Sequence, residues 1–184
     1  MNTVDKGAPE DQDGWESRVA TLTADARTAA GSDFIERAIC SLLRVAREQL
    51  ELEVVFVGQF MEGKRVFRHI AAQTDDAIIR RGQSHPLDES ICQRIVDGRM
   101  RSLVPDVTAV RAENKLPAYY DGVGAHIGVP VRFSDGRLYG VLCGFSFERR
   151  PKLDERDVRR LEMTAKAVAR LLAQAEGHEA DGHA

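Results

Sequence analysis

Cysteine is scarce in this chain. Its three residues, Cys40, Cys92 and Cys143, are odd in number and far apart, so their spacing offers neither a disulfide framework nor a Cys-x-x-Cys metal motif. Long apolar runs are missing as well. Stretches such as VVFV at 54–57 fall far short of the roughly 20 residues that a membrane helix needs, which excludes a helical span. No sign of charge dominates: 26 Lys and Arg stand against 29 Asp and Glu, and the arginines fall in scattered pairs rather than a stripe. That distribution argues against nucleic acid as a partner. The N-terminal MNTVDKGAPEDQDGW has neither the basic nor the apolar segment of a secretory signal, so a cytoplasmic protein is expected.

What is present is ordinary globular composition, 43% hydrophobic and 30% charged over 184 residues, enough for one domain with a real core. Residues 1–13 have the composition of a disordered leader, and residues 177–184 read as a disordered tail. Trp15, Val19, Leu22, Ala26 and Ala29 fall on one stripe of a helix over 14–31, which is a candidate dimerisation element. Asp33 and Glu36 make a capping-box-like start to a second helix, with Ile35, Ala38, Ile39, Leu42, Leu43, Ala46 and Leu50 on its apolar face. Two β-rich runs in 52–72 flank Glu62–Gly63 and predict a hairpin. A polar connection follows, then a short helix capped by Asp88 and ended by Gly98, and a strand RSLVP at 101–105. Residues 106–121 read as a long irregular connection with room for one helical turn. A second hairpin turns at Asp135–Gly136, and a last helix runs from Asp154 to about Glu176 with Val158, Leu161, Ala165, Val168 and Leu172 in line. Hairpins require antiparallel pairing, so the fold class is an α/β (α+β) mixture on a mostly antiparallel sheet.

Side-chain alternation divides each hairpin into two unlike faces. A two-residue turn at Asp135–Gly136 sets Phe133 opposite Leu138, Val131 opposite Gly140, Val129 opposite Leu142 and Gly128 opposite Cys143. Ile127, Val129, Val131, Phe133, Leu138 and Leu142 then form an apolar wall suited to packing under helices. His126, Gly128, Pro130, Arg132, Tyr139, Val141, Cys143 and Phe145 form a mixed face. In the first hairpin Val55, Val57, Val66 and Ile70 share the smooth side, and Phe56, Gly58, Phe67 and His69 the mixed one. Aromatics, histidines and glycine gaps on one face are the makings of a helix-backed pocket.

At PLDESICQRIVDGRMRSLVPDV, GAHIGVPVRFSDGRLYGVLCGFS and LDERDVRRLEMTAKAVARLL the chain resembles a GAF domain, the sensory small-molecule module, over about residues 33–176. These segments are most similar to the GAF modules that accompany bacterial cyclic-di-nucleotide signalling domains. The resemblance implies a six-stranded antiparallel sheet with the terminal helices on one face and a ligand pocket on the other, roofed by NKLPAYYDGVGAH. It also implies a homodimer through those helices and a signalling partner, and 184 residues leave room for this module alone.

Several ligand classes can be weighed on that basis. Bilin attachment would use a Cys-His pair in the roof, which RAENKLPAYYDG lacks. Asn114–Lys115 and Tyr119 echo part of a cyclic-nucleotide pattern, whose acidic pair reduces here to Asp121 before Gly122. A haem sensor would hang its iron near Tyr120, with His126 also in reach. A redox enzyme similar to free methionine sulfoxide reductases would use Cys92, but no roof cysteine is present as a partner, and Cys92 among isoleucines reads as an inert core residue. His85, His178 and His183 read as solvated. The leading expectation is a non-catalytic sensory protein without a metal, contacting an unknown small molecule through Phe56, Tyr119, Tyr120, His126 and Cys143. A structural dimerisation unit with a self-filled pocket is the third reading.

Overall fold

The computed structural model describes residues 10–28, 31–74 and 79–181. In chain order the elements are α1 (Glu10–Thr28), α2 (Ser32–Gln49), β1 (Val54–Met61), β2 (Lys64–Ala72), β3 (Ser84–Pro86) and α3 (Ile91–Val96). They continue with β4 (Leu103–Val104), α4 (Val107–Asn114), a 3-10 turn (Ala118–Tyr120), β5 (Ala125–Arg132), β6 (Leu138–Ser146) and α5 (Glu155–Asp181). The strands make one antiparallel sheet in the order β3-β2-β1-β6-β5-β4. This is the mixed α/β class and the six-stranded sheet expected from the sequence. No helix among the described residues is long and apolar enough to cross a membrane.

The sheet separates two apolar cores. On one side α1, α2 and α5 bury Trp15, Val19, Leu42, Leu43, Leu161 and Val168 against Val55, Val57, Val129 and Leu142. On the other side α3, α4 and the 3-10 turn cover Phe56, Phe67, Val141 and Phe145. The Trp15–Val19 and Val158–Leu172 stripes are thus buried within the chain itself, while the side chains of Ala26 and Ala29 lie outside the described residues.

Local chemistry departs from expectation in several places. α1 begins at Glu10, inside the expected leader, and α5 continues to Asp181, into the expected tail; residues 1–9 and 182–184 lie outside the described residues. Asp33 does not cap α2. Gly31 holds the N-cap without a side-chain bond, and Asp33 sits in the first turn, where a carboxylate meets the positive helix end. Ser90 rather than Asp88 caps α3, accepting from the Gln93 N–H. The stretch 106–121, expected to hold one helical turn at most, contains the eight-residue α4, whose start is held by Asp106 accepting from Thr108 and Ala109, followed by the 3-10 turn. The polar connection supplies β3, an edge strand whose few backbone bonds need no apolar pattern.

Two bulges correct the face assignments. In β2, Val57 pairs with His69 and Gly58 with Phe67, so Arg68 is an extra residue that shifts the alternation. His69 therefore turns to the helices, with Nε2 3.4 Å from Glu36, and Ile70 turns to the opposite core. In β6, Val131 pairs with Gly140 and Arg132, not Phe133, with Leu138. The turn is closed by Phe133 N–H to Arg137 O at 2.9 Å with Gly136 at φ 88°, and is not a two-residue turn. Tyr139 consequently packs toward the helices, edge-on to Phe133 at 5.9 Å. The expected pairings of Val131, Val129 and Gly128 stand.

Leu161 is fully buried at the centre of the helix-side core. Leu161→Ala should cost about 2–5 kcal/mol. In urea denaturation the midpoint should fall while the slope stays constant.

Candidate functional site

Strand alternation sends Arg65 and Phe67 of β2 to the same face as Phe56 of β1, under the 3-10 turn. Arg65, which pairs with Phe60, fits there because Gly58, diagonal to it on β1, has no side chain: a Cβ at Gly58 would lie 2.9 Å from Arg65 Cγ. Arg65 is 3% exposed. Its guanidinium lies over Phe67 at 4.4 Å and Phe56 at 5.5 Å. Its terminal nitrogens meet Cys92 Sγ and Tyr120 Oη, each at 3.3 Å, and His85 Nδ1 at 2.6 Å. Its Nε–H is buried with no partner, and no carboxylate among the described residues pairs with it. Burial alone would pull its pKa down, but the charges and hydrogen bonds of Cys92 and Tyr120 outweigh burial and raise it. The group remains a cation.

Beside this guanidinium lies a cavity of about 100 Å³. Its wall includes Phe56, Arg65, Phe67, His85, Tyr119, Tyr120, His126 and Phe145. Of the residues nominated from the sequence, Phe56, Tyr119, Tyr120 and His126 are thus brought together around one space. Cys143 is not in the wall; it is fully buried behind it. Tyr120 Oη accepts from the Ile91 N–H at 2.8 Å as well as from Arg65. Tyr119 stacks on His85, with centroids 4.3 Å apart and planes 7° from parallel, and its buried hydroxyl has no partner among the described residues.

Arg65 and His85 were missed by sequence reasoning. His85, expected to be solvated, is half-buried on β3. His178's side chain and His183 lie outside the described residues. The signal for Arg65 was present in the alternation, since it sits two residues before Phe67 on the mixed face. A larger depression of about 780 Å³ near Phe147 is open and edged by Asp106, Glu148 and Arg149, of which Asp106 is engaged in capping α4 and in an ion pair with Arg149; the chemistry gathers in the smaller space.

Behind the wall, Cys92 Sγ of α3 lies 3.6 Å from Cys143 Sγ of β6. Burial opposes ionisation of Cys92, but the Cys143 hydrogen bond, the Arg65 charge and His126 outweigh it and hold the thiol well below its usual range. Cys143 is pushed well above its usual range by burial and by the adjacent Cys92 charge. The two shifts run in opposite directions, so Cys92 is the more acidic thiol of a hydrogen-bonded pair. Cys92 thus does have a partner thiol, contributed by a strand instead of the roof.

The sequence profile described as GAF domain matches residues 35–173. No curated protein matches the chain. Among solved structures, the chain is similar to the GAF domain of a phosphoenolpyruvate-protein phosphotransferase from Acinetobacter, with TM-score 0.70, 11% identity, and coverage of 93% of this chain and 97% of that one. It is similar to the phycocyanobilin-bound GAF domain of a cyanobacterial phytochrome, with TM-score 0.70, 20% identity, and coverage of 89% and 96%. It is also similar to the free methionine-R-sulfoxide reductase of Neisseria meningitidis in complex with its substrate, with TM-score 0.69, 17% identity, and coverage of 97% and 99%. At these identities the likeness concerns the fold.

The Arg65–His85 contact fixes a tautomer. Arginine only donates, so His85 Nδ1 accepts and its proton resides on Nε2. Burial, then the Arg65 charge, lowers the His85 pKa. Between that lowered value and the unfolded value of about 6.5, the unfolded chain binds more protons, so this contribution to stability is present above about pH 6.5 and is lost as pH falls. Urea denaturation at about pH 7.5 and pH 5.5 should show a larger acid loss in the parent than in His85→Gln, which keeps an acceptor but does not titrate. Equal losses would remove His85 as the titrating group.

Proposed function

We propose, from the premise that this chain belongs to the GAF domain family, that it is a sensory module whose cavity takes a compact anionic ligand without transforming it. Arg65 carries the reading. The guanidinium of an arginine 3% exposed, bordering a cavity and lacking a carboxylate partner among the described residues, is costly to bury on the order of several kcal/mol. A ligand carboxylate or phosphate would supply the missing charge and accept from the idle Nε–H. Phe56, Tyr119, Tyr120 and His126 would close around its body, with Cys143 behind them. A volume of about 100 Å³, below the roughly 300–1,000 Å³ of drug-sized sites, favours a small molecule over a tetrapyrrole. The hydroxyl of Tyr120, which haem ligation would need, is engaged by two donors. Helices α1 and α5 pack together on the opposite side of the sheet, and action on a second copy or a signalling partner in the cytoplasm through their outer faces belongs to the same reading.

Thermal unfolding of the full chain with formate, acetate, pyruvate and inorganic phosphate at constant ionic strength tests this. At least one anion should raise Tm saturably, by the equivalent of about 2.7 kcal/mol at a hundredfold excess over Kd. Arg65→Met should fold, because it removes a buried charge while filling the space, and should lose the response. No shift with any of the four, or an equal shift in Arg65→Met, overturns the reading.

A second reading, a sulfoxide reductase using Cys92, rests on the 3.6 Å approach of Cys143. The two thiols would become a disulfide as the sulfoxide oxygen leaves as water. Reduction of free methionine-R-sulfoxide by the parent and its loss in Cys92→Ser would support this reading; no activity, or activity unchanged by the substitution, removes it.

A further inference from the structure

The geometry points to a metal site: we propose that Cys92, Cys143 and His126 bind a soft divalent ion of the zinc type through three protein ligands. Their donor atoms all lie within 4.8 Å of one another, and all three residues are buried. Among the described residues no other such group of three converges. The sulfurs stand 3.6 Å apart. Two zinc–sulfur bonds of about 2.3 Å at a tetrahedral angle hold their sulfurs about 3.8 Å apart, so an ion fits between these thiols with a displacement of only a few tenths of an ångström.

Two further observations concern the same spot. His126 Nδ1 is buried with no hydrogen-bond partner among the described residues. A buried imidazole nitrogen left idle beside two thiols is costly unless something completes it. Gly128, opposite Cys143, keeps the space between the donors clear: a Cβ there would fall 2.6 Å from Cys143 Sγ and 3.2 Å from His126 Cε1.

The ligand set selects the ion. Two thiolates and an imidazole favour zinc or copper(I) over the hard cations that prefer oxygen. The thiolates cancel the charge of a divalent ion, which leaves Arg65, 3.3 Å from Cys92 Sγ, as an outer hydrogen-bond donor to a ligating sulfur. Three protein ligands also leave a fourth position for water or an exogenous ligand. His126 lines the cavity, which provides the route to it. The ligands come from α3, β5 and β6, with the cysteines 51 positions apart, so no metal spacing is visible along the chain. This proposal stands independently of the anion reading.

The reduced full chain should be titrated anaerobically with cobalt(II) as the probe. Tetrahedral ligand-field bands and thiolate-to-cobalt charge transfer should saturate at one equivalent and disappear when zinc is added. Cys92→Ser, Cys143→Ser and His126→Gln should each weaken cobalt binding more than about a hundredfold, while Cys40→Ser leaves it unchanged. Should a cysteine variant fail to fold by circular dichroism, thermal unfolding of the parent and of His126→Gln decides: zinc should raise Tm saturably in the parent and much less in the variant, and equal shifts would overturn the proposal. Absent charge transfer, binding that follows Cys40, or oxidation to a Cys92–Cys143 disulfide at the same rate with and without zinc would overturn the proposal. Anion binding is read from Arg65→Met without added metal, so either proposal can fail without the other.

Discussion

Period-two alternation along six antiparallel strands is the constraint on which the rest of this structure rests. Through the middle of β1, β5 and β6 alternate side chains such as Val55, Val57, Val129 and Leu142 enter the helix-backed core, while Phe56, Val141 and Cys143 enter the opposite one. The helix side is apolar because three helices need a continuous surface to cover. The other side is roofed by short elements, α3, α4 and a 3-10 turn, which fill space less completely. There the alternation leaves room for an arginine, histidines and thiols beside a cavity. The bulges at Arg68 and Tyr139 adjust this division, moving His69 and Tyr139 to the helices and Ile70 to the roof.

Within the roofed side, one charge organises the polar groups. Arg65 is held by two phenyl rings, a tyrosine hydroxyl, a histidine nitrogen and a thiol, each a weak partner for a full cation. Their arrangement fixes the His85 tautomer, ties Tyr120 to the start of α3 and makes Cys92 more acidic than Cys143. None of these contacts neutralises the guanidinium with a carboxylate. The cavity, the idle hydroxyl of Tyr119 and the idle nitrogen of His126 lie around the same charge, so the unfinished hydrogen bonding of the site is concentrated where a ligand or an ion can reach it.

The sequence by itself determined the elements with strong periodicity: α2, α5, both long hairpins, and the antiparallel class that follows from them. It also determined which face would carry Phe56, Phe67, His126 and Cys143, since alternation within a paired strand is a local property. It was silent wherever one residue changes the count or distant segments meet. A bulge leaves no mark in apolar spacing, so His69, Ile70, Leu138 and Tyr139 were assigned to the wrong faces. β3 has too few residues to show a pattern, and His85 was hidden with it. Only the tertiary structure decided that Cys143 meets Cys92 and His126, and that Arg65 is buried among aromatics instead of solvated. The physical reason is that these contacts arise from roof segments closing over the sheet, and their energies depend on burial, which local residue spacing does not encode.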